Sequence, residues 1–154
     1  FLPIYAAEAS VFLTQAQGKL DGIKVFGCDG LDGLQTKVSD MTMLEGVMML
    51  TPFAVDAPDT KTQTFVDKFT KLHGSAPDQF AADAYDAVYA VKAAMEACGK
   101  TPADADFTSA MVDAMYTITV DGLTGTMQGD TSREPAKNAK AMVFAADGTT
   151  SLLG

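Results

Sequence analysis

Residues 23–33, I-K-V-F-G-C-D-G-L-D-G, combine a short apolar run with three glycines and two aspartates. Ile23, Val25 and Phe26 predict a short buried strand. The three glycines that follow let the backbone turn sharply where the strand stops, because glycine has no Cβ to restrict its dihedral angles. A strand that ends in a glycine-rich turn is typical of an open α/β sheet.

Asp29 stands in this turn, at the C-terminal end of the predicted strand. In open α/β sheets that edge is where ligands bind, because loops and helix N-termini converge there. A single carboxylate at the edge suits a cationic group, such as the ammonium of an amino acid. The alternative is that Asp29 caps a helix that begins near Leu31.

Apolar runs on both sides of this strand extend the pattern. Residues 1–5 and 46–50 are apolar runs of strand length, while residues 6–17 and 31–38 carry apolar residues at helical spacing. With the strand at 23–26 they give the order β-α-β-α-β. Because the runs are apolar on both faces, we expect a parallel sheet covered by helices.

The second half of the chain is mostly helical in pattern. Helices are predicted over residues 60–73, 77–98 and 107–116, and the middle one carries so few polar residues that we expect it to be largely buried. Residues 123–128 are predicted to form a short strand. Asp147-Gly148 lies between two apolar runs and predicts a two-residue hairpin.

Two irregular stretches are predicted linkers: residues 51–59, which contain two prolines and two aspartates, and the polar residues 129–138. The chain has 154 residues, the size of one ordinary domain, and 47% apolar content, which is enough for a core. It begins in a strand-like segment with no initiator Met, so we expect a fragment or a processed piece.

The charge and the cysteines exclude several classes of protein. The net charge of −9 argues against nucleic acid or an anionic membrane surface as a partner, since both attract clustered Lys and Arg. No apolar run approaches the roughly 20 residues of a membrane span. Cys28 and Cys98 match no metal or redox spacing and are expected to be unpaired.

The sequence offers little for catalysis. The single histidine, His73, stands at a predicted helix C-terminus, where the helix dipole favours it whatever the function. No nucleophile motif accompanies it, and the glycines at 27, 30 and 33 do not have the spacing of a dinucleotide-binding loop. The carboxylate pairs at Asp104 with Asp106 and at Asp56 with Asp59 do not extend into a calcium loop. We expect no enzyme activity, no metal and no cofactor.

The ordered motifs together resemble the C-terminal half of the leucine/isoleucine/valine-binding-protein family, the type I extracytoplasmic solute-binding proteins of ATP-driven (ABC) importers. The resemblance covers nearly the whole chain. The motifs that carry it are P-I-Y-A-A-E-A (3–9), Q-A (15–16), G-C-D-G (27–30), E-G-V (45–47) with Pro52, F-V-D-K-F (65–69), A-Y-D-A-V-Y-A (84–90), G-L-T-G-T (122–126) and A-A-D-G (145–148).

This resemblance implies an α/β type I periplasmic-binding-protein fold in which the chain contributes to two lobes joined by crossing strands. Residues 1–52 would belong to the C-terminal lobe, residues 53–134 would return to the N-terminal lobe, and residues 135–154 would cross back. The two predicted linkers coincide with these crossings.

The resemblance also implies three ligand-binding residues. Asp29 would accept the α-ammonium of a bound amino acid, while Tyr5 and Phe80 would supply aromatic walls. Ordinary core packing is the alternative for Tyr5 and Phe80. The loops that hold a ligand's carboxylate would lie outside this chain.

The expected function is binding of an amino acid or similar small solute in an interlobe cleft, outside the cytoplasm, and delivery to the membrane subunits of an ABC importer. We also expect the chain to associate with the missing N-terminal half or with a swapped second copy, because uncovered strand edges and apolar faces favour association. A ligand-sensing module of a receptor is the alternative, and a flavodoxin-like α/β enzyme is a weaker one.

Overall fold

The computed structural model describes residues 1–135 and 137–153. The chain divides into two compact units, one formed by residues 1–79 and the chain from residue 139 onward, the other by residues 80–138. The helices and strands are α1 (Ala6–Ala16), β1 (Phe26–Gly27), β2 (Met48–Thr51), α2 (Thr60–His73), α3 (Gln79–Cys98), α4 (Phe107–Met115), β3 (Thr119–Asp121), β4 (Thr126–Gln128), β5 (Lys140–Phe144) and β6 (Thr150–Leu152).

The first unit is built on a four-stranded sheet in the order β1-β2-β5-β6. The predicted parallel pairing is confirmed for β1 with β2, and Leu2 adds a parallel bridge to Gly27. A hairpin at Asp147-Gly148 joins β5 to β6 as predicted. Its loop has three residues instead of two, because Ala145 pairs with Thr149 and Gly148 takes a left-handed φ of +82°. Because β5 also pairs antiparallel with β2, the sheet is mixed and not parallel throughout.

The strand predictions at residues 1–5 and 23–26 were too long. Only Leu2 of the first run joins the sheet, and β1 has two residues. Ile23 is 59% exposed and Phe26 is 45% exposed, so the expectation that both are buried was wrong. Ile23 lies before β1 and outside the sheet, and the side chain of Phe26 points to the face opposite the buried Gly27, because successive residues of a strand face opposite sides.

The core of the first unit is formed where α1 and the segment between β1 and β2 pack on the sheet. Its fully or almost fully buried side chains include Leu13, Leu31, Leu34, Met142 and Phe144. Burying such aliphatic and aromatic groups is the main favourable contribution to the stability of the unit.

The segment predicted as one helix over 31–38 forms two short 3-10 helices instead, Asp29–Leu31 and Leu34–Thr36, followed by a third at Met41–Leu44. Gly33 lies between the first two with φ of +82°, a left-handed conformation that ends a right-handed helix. The glycine therefore breaks the helix that the apolar spacing predicted.

The second unit contains α4, the hairpin β3-β4 and α3 beyond its first residue. The hairpin corrects the sequence prediction, which placed a strand at 123–128 and missed β3. The expectation that α3 is largely buried was also wrong: Val88 is 68% exposed and Met95 is 43% exposed. Among the described residues of α3 that belong to this unit, Ala82, Asp86 and Ala94 are the buried ones.

Among the described residues, none of the helices combines the length and apolar character that crossing a bilayer requires.

Candidate functional site

Asp29 lies in the turn that follows β1, at the C-terminal end of a parallel strand pair, as predicted. It is the first residue of the 3-10 helix Asp29–Leu31, whose N-cap is Cys28, and no side chain caps that helix. The Asp29 side chain is exposed, and its carboxylate forms no hydrogen bond or ion pair with any residue that the structure describes. The helix-capping alternative therefore does not describe this carboxylate.

Two glycines bring the N-terminal segment against this turn. A Cβ added to Gly30 would lie 2.8 Å from the carbonyl oxygen of Ile4 and 3.4 Å from Cα of Tyr5. A Cβ added to Gly27 would lie 2.8 Å from the carbonyl oxygen of Leu2. Only glycine permits such a close approach of two backbones, so the G-C-D-G sequence places Asp29 next to the segment that carries Tyr5.

Tyr5 precedes α1 as its N-cap residue and is 68% exposed. Its backbone therefore lies beside the Asp29 turn while its ring remains accessible. Core packing, the alternative for Tyr5, does not fit a ring exposed to this extent.

Phe80 is the second residue of α3 and is 46% exposed. It belongs to the second unit, whereas Asp29 and Tyr5 belong to the first. A contact of Phe80 with the same ligand stays a prediction.

A buried network of hydrogen bonds holds the backbone of the Asp29 turn, and the sequence analysis did not predict it. The Gln79 side chain, which is fully buried, donates from Nε2 to the carbonyl oxygen of Asp29 at 2.9 Å and accepts at Oε1 from the Thr51 hydroxyl, also at 2.9 Å. Asp29 and Thr51 lie 50 and 28 residues from Gln79 in the sequence, so no local motif indicates these contacts.

Asp32 is the second carboxylate of the turn, and its environment differs from that of Asp29. Its Oδ2 accepts a hydrogen bond from the backbone N–H of Gln79 at 2.7 Å. Burial raises the pKa of Asp32 above its usual value, because desolvation disfavours the charged form, and the hydrogen bond from Gln79 partly opposes this effect. The negative charge of Asp78 raises the pKa further.

The second unit contains an apolar cavity of about 410 Å³. Val112, Met115, Ile118 and Met127 are among the residues that line it, and Arg133 stands at its polar side with Nε donating to the Tyr116 hydroxyl at 3.1 Å. Neither this cavity nor the rest of the described chain contains a group of three or more His, Cys, Asp or Glu residues that could hold a metal ion.

Residues 5–149 match the family described as periplasmic binding protein. The chain belongs to this family. The match spans nearly the whole chain and agrees with the family suggested by the motifs in the sequence. The comparison with curated proteins finds no match.

Solved structures of other periplasmic binding proteins have the same fold. The branched-chain amino acid transporter substrate-binding protein LivJ from Streptococcus pneumoniae, in complex with isoleucine, superposes with a TM-score of 0.77 at 23% identity over 98% of this chain. The leucine-binding protein LivK from Thermotoga maritima gives 0.81 at 19% identity over 99%. A solute-binding protein of an ABC transporter from R. palustris, in complex with benzoate, gives 0.75 at 21% over 95%.

The chain spans less than half the length of these relatives: 43% of LivJ, 42% of LivK and 39% of the benzoate complex. The expected type I periplasmic-binding-protein fold is thus confirmed, with the chain covering one part of it. At these identities the likeness concerns the fold, and the three relatives bind ligands as different as isoleucine and benzoate.

Proposed function

We propose that this chain is part of a solute-binding protein that takes up an amino acid or similar small solute in an interlobe cleft, outside the cytoplasm, and delivers it to an ABC importer. It carries out no chemistry on the solute. The lobe assignment of residues 1–52, 53–134 and 135–154 belongs to the same proposal.

The observation that carries the proposal is the Asp29 carboxylate. It is exposed at the C-terminal edge of a parallel strand pair, without a partner among the described residues, on a turn that two glycines and a buried glutamine hold in place. A carboxylate in such a position is available for a ligand's ammonium group, and a charge-assisted hydrogen bond of this kind is stronger than a neutral one.

The aromatic residues Tyr5 and Phe80 are proposed to contact the rest of the solute. Both rings are accessible, and aromatic side chains provide a large apolar surface with few rotatable bonds. Binding sites for small molecules combine apolar walls with a few precisely placed polar groups. Tyr5 and Phe80 would supply the walls, and Asp29 would supply the polar group.

The remaining part of the complete protein is proposed to cover the exposed apolar face of the second unit. Val88, Val91 and Met95 of α3 are between 43% and 68% exposed, and the relatives are more than twice as long as this chain. Purified alone, the 154 residues should associate with a second copy through this face. Light scattering that shows only a compact monomer would contradict this part of the proposal.

Thermal melting of the complete protein tests the ligand assignment. We expect leucine, isoleucine or valine to raise the melting temperature, because a ligand that binds only the folded state stabilises it, by about 2.7 kcal/mol at 100 times its Kd. Asp29→Ala should abolish the shift, since the ammonium group then loses its charged partner.

Asp21→Ala is the matched control, because Asp21 is also an exposed aspartate of the first unit, with no side-chain hydrogen bond to the described residues. It should leave the shift unchanged. If benzoate raises the melting temperature and no amine-bearing solute does, the proposed ligand class changes from amino acids to aromatic carboxylates. If none of leucine, isoleucine, valine and benzoate raises the melting temperature, the proposed ligand class is contradicted.

A ligand-sensing module is the second candidate. One protein of the same fold is described as an extracellular ligand-binding receptor from Rhodopseudomonas palustris, at 15% identity and a TM-score of 0.81. An attached transmembrane or DNA-binding segment in the complete protein would favour sensing, whereas a secretion or lipoprotein signal would favour transport.

A further inference from the structure

Gln79 is a fully buried polar side chain whose two ends are both hydrogen-bonded. Nε2 faces the Asp29 carbonyl oxygen, which can only accept, and Oε1 faces the Thr51 hydroxyl, which can donate. The opposite orientation of the amide would place two acceptors against each other at Asp29. The network therefore fixes the orientation of the glutamine as well as its position.

The two anchors of Gln79 belong to different parts of the first unit. Thr51 is the last residue of β2 and is 1% exposed, and its oxygen also accepts from the backbone N–H of Phe53 at 3.2 Å. On the other side, the Gln79 backbone N–H donates to Asp32. One residue thus connects the end of a central strand to both ends of the turn from Asp29 to Asp32.

The turn is anchored in the core by Leu31, and it has two backbone hydrogen bonds of its own. Within it, the Asp32 N–H donates to the Asp29 carbonyl oxygen at 3.0 Å, and the Leu31 N–H donates to the Cys28 carbonyl oxygen at 3.1 Å. Gly33, which follows the turn, has φ of +82° and can adopt other conformations at little cost. The Asp29 carbonyl oxygen, in contrast, is held by a buried donor that is itself fixed at its other end.

We propose that Gln79 is a positioning residue of the ligand site: it sets the direction in which the Asp29 carboxylate is presented to the ammonium group of the solute. This inference rests on the proposed function. Gln79 acts through the Asp29 backbone, so its effect on affinity depends on the presence of the Asp29 carboxylate.

Gln79→Glu in the complete protein tests the inference with little change of shape. The ionised glutamate keeps an acceptor for Thr51 but faces the Asp29 carbonyl oxygen with an oxygen instead of an N–H group, and it adds one negative charge, as Gln63→Glu does at its own site. Titration calorimetry with L-leucine should show a Kd raised about tenfold, as expected for the loss of one hydrogen bond that fixes the site.

Gln63→Glu is the matched control. The Gln63 Nε2 also donates to backbone carbonyl oxygens, those of Val55 and Ala57, but in a segment that carries no proposed ligand residue. It should leave the Kd for leucine unchanged. An equal rise in Kd in both variants would show a general structural effect and would overturn the inference.

A double-mutant cycle tests whether the effect of Gln79 on the Kd for leucine acts through the Asp29 carboxylate or is independent of it. In an Asp29→Asn background, which removes the charge, Gln79→Glu should raise the Kd much less than tenfold. The same tenfold rise in both backgrounds would overturn the inference.

Hydrogen exchange without ligand distinguishes failure of this inference from failure of the proposed function. Gln79→Glu should accelerate exchange of the Leu31 and Asp32 amides by about tenfold, because the turn opens more often, and Gln63→Glu should not. Unchanged exchange would overturn the inference even if leucine binds. If the wild type binds none of leucine, isoleucine, valine and benzoate, the proposed function fails, and the ligand role of Gln79 fails with it, whatever the exchange data show.

Discussion

The Asp86 carboxylate, which is 2% exposed, accepts two hydrogen bonds from Thr124 at Oδ2, one from the backbone N–H at 2.8 Å and one from the hydroxyl at 2.7 Å. Its Oδ1 accepts a third, from the Leu123 N–H at 2.7 Å. The carboxylate thus holds the loop between β3 and β4 to the buried side of α3. Gly122 permits this contact, because a Cβ at that position would lie 2.6 Å from Cγ of Asp86.

Asp86→Asn is expected to lower the free energy of unfolding by about 2–3 kcal/mol, because the amide group of asparagine faces an N–H donor that then has no acceptor. Denaturant unfolding of the complete protein measures the loss, and faster hydrogen exchange of the Leu123 and Thr124 amides localises it. Asp113→Asn, on the exposed side of α4, should change stability by less than about 0.5 kcal/mol. Equal effects of the two substitutions would contradict the role of Asp86.

Leu34→Ala should cost about 2–5 kcal/mol, because Leu34 is completely buried in the core of the first unit and its truncation leaves a cavity. Leu72 offers a control of the same residue type, since it is 79% exposed on α2. Leu72→Ala should stay within about 0.5 kcal/mol. The comparison is made by denaturant unfolding, and a small effect at Leu34 would show that this core is not packed as described.

Asp59 caps the N-terminus of α2, where its Oδ1 accepts from the Thr62 N–H at 2.8 Å. Asp59→Ala should lower stability by about 1 kcal/mol at pH 7. The hydrogen bond from the Thr62 backbone lowers the pKa of Asp59 below its ordinary 3.8. Its contribution is therefore complete above that value and is lost as the pH falls through the lowered pKa.

The difference in stability between wild type and Asp59→Ala should accordingly shrink below pH 3.8, as measured by thermal melting at several pH values. Asp67→Ala, an exposed position within α2, should show no such pH dependence. A difference that stays constant down to pH 2 would contradict the capping contact.

Asp32 should show the opposite pH dependence, because burial raises its pKa in the folded state above the ordinary 3.8. The folded state then binds a proton more tightly than the unfolded state, so stability falls as the pH rises from 3.8 through the raised pKa. Asp32→Asn removes this loss while keeping an oxygen acceptor for the Gln79 N–H. The stability of the variant relative to wild type should rise across that pH window, and Asp21→Asn should show no such rise.

Local signals predicted the helices well. α2 begins after Asp59 and ends at Gly74, whose φ of +79° closes the helix, and both residues are recognisable caps in the sequence. The start of α3 after Pro77 and Asp78 was recognisable in the same way. Caps act on neighbouring residues, so the sequence alone contains the information.

The sequence also placed Asp29 correctly at the end of a strand, because the glycines that shape the turn are its neighbours. It did not predict that Gly33 splits the following segment into two 3-10 helices, since apolar spacing does not distinguish them from an α-helix. The exposure of Ile23 and Phe26 was missed because apolar composition indicates what can be buried, and only the neighbours in space determine what is.

The ends of α2, the family and the position of one acidic residue at a sheet edge could therefore be read from the amino-acid sequence, because each depends on neighbouring residues. Only the tertiary structure joined Gln79 to Thr51 and Asp29, and Asp86 to Thr124. Hydrogen bonds between residues 28 to 50 positions apart leave no periodic trace along the chain, because they arise when the fold removes both partners from water.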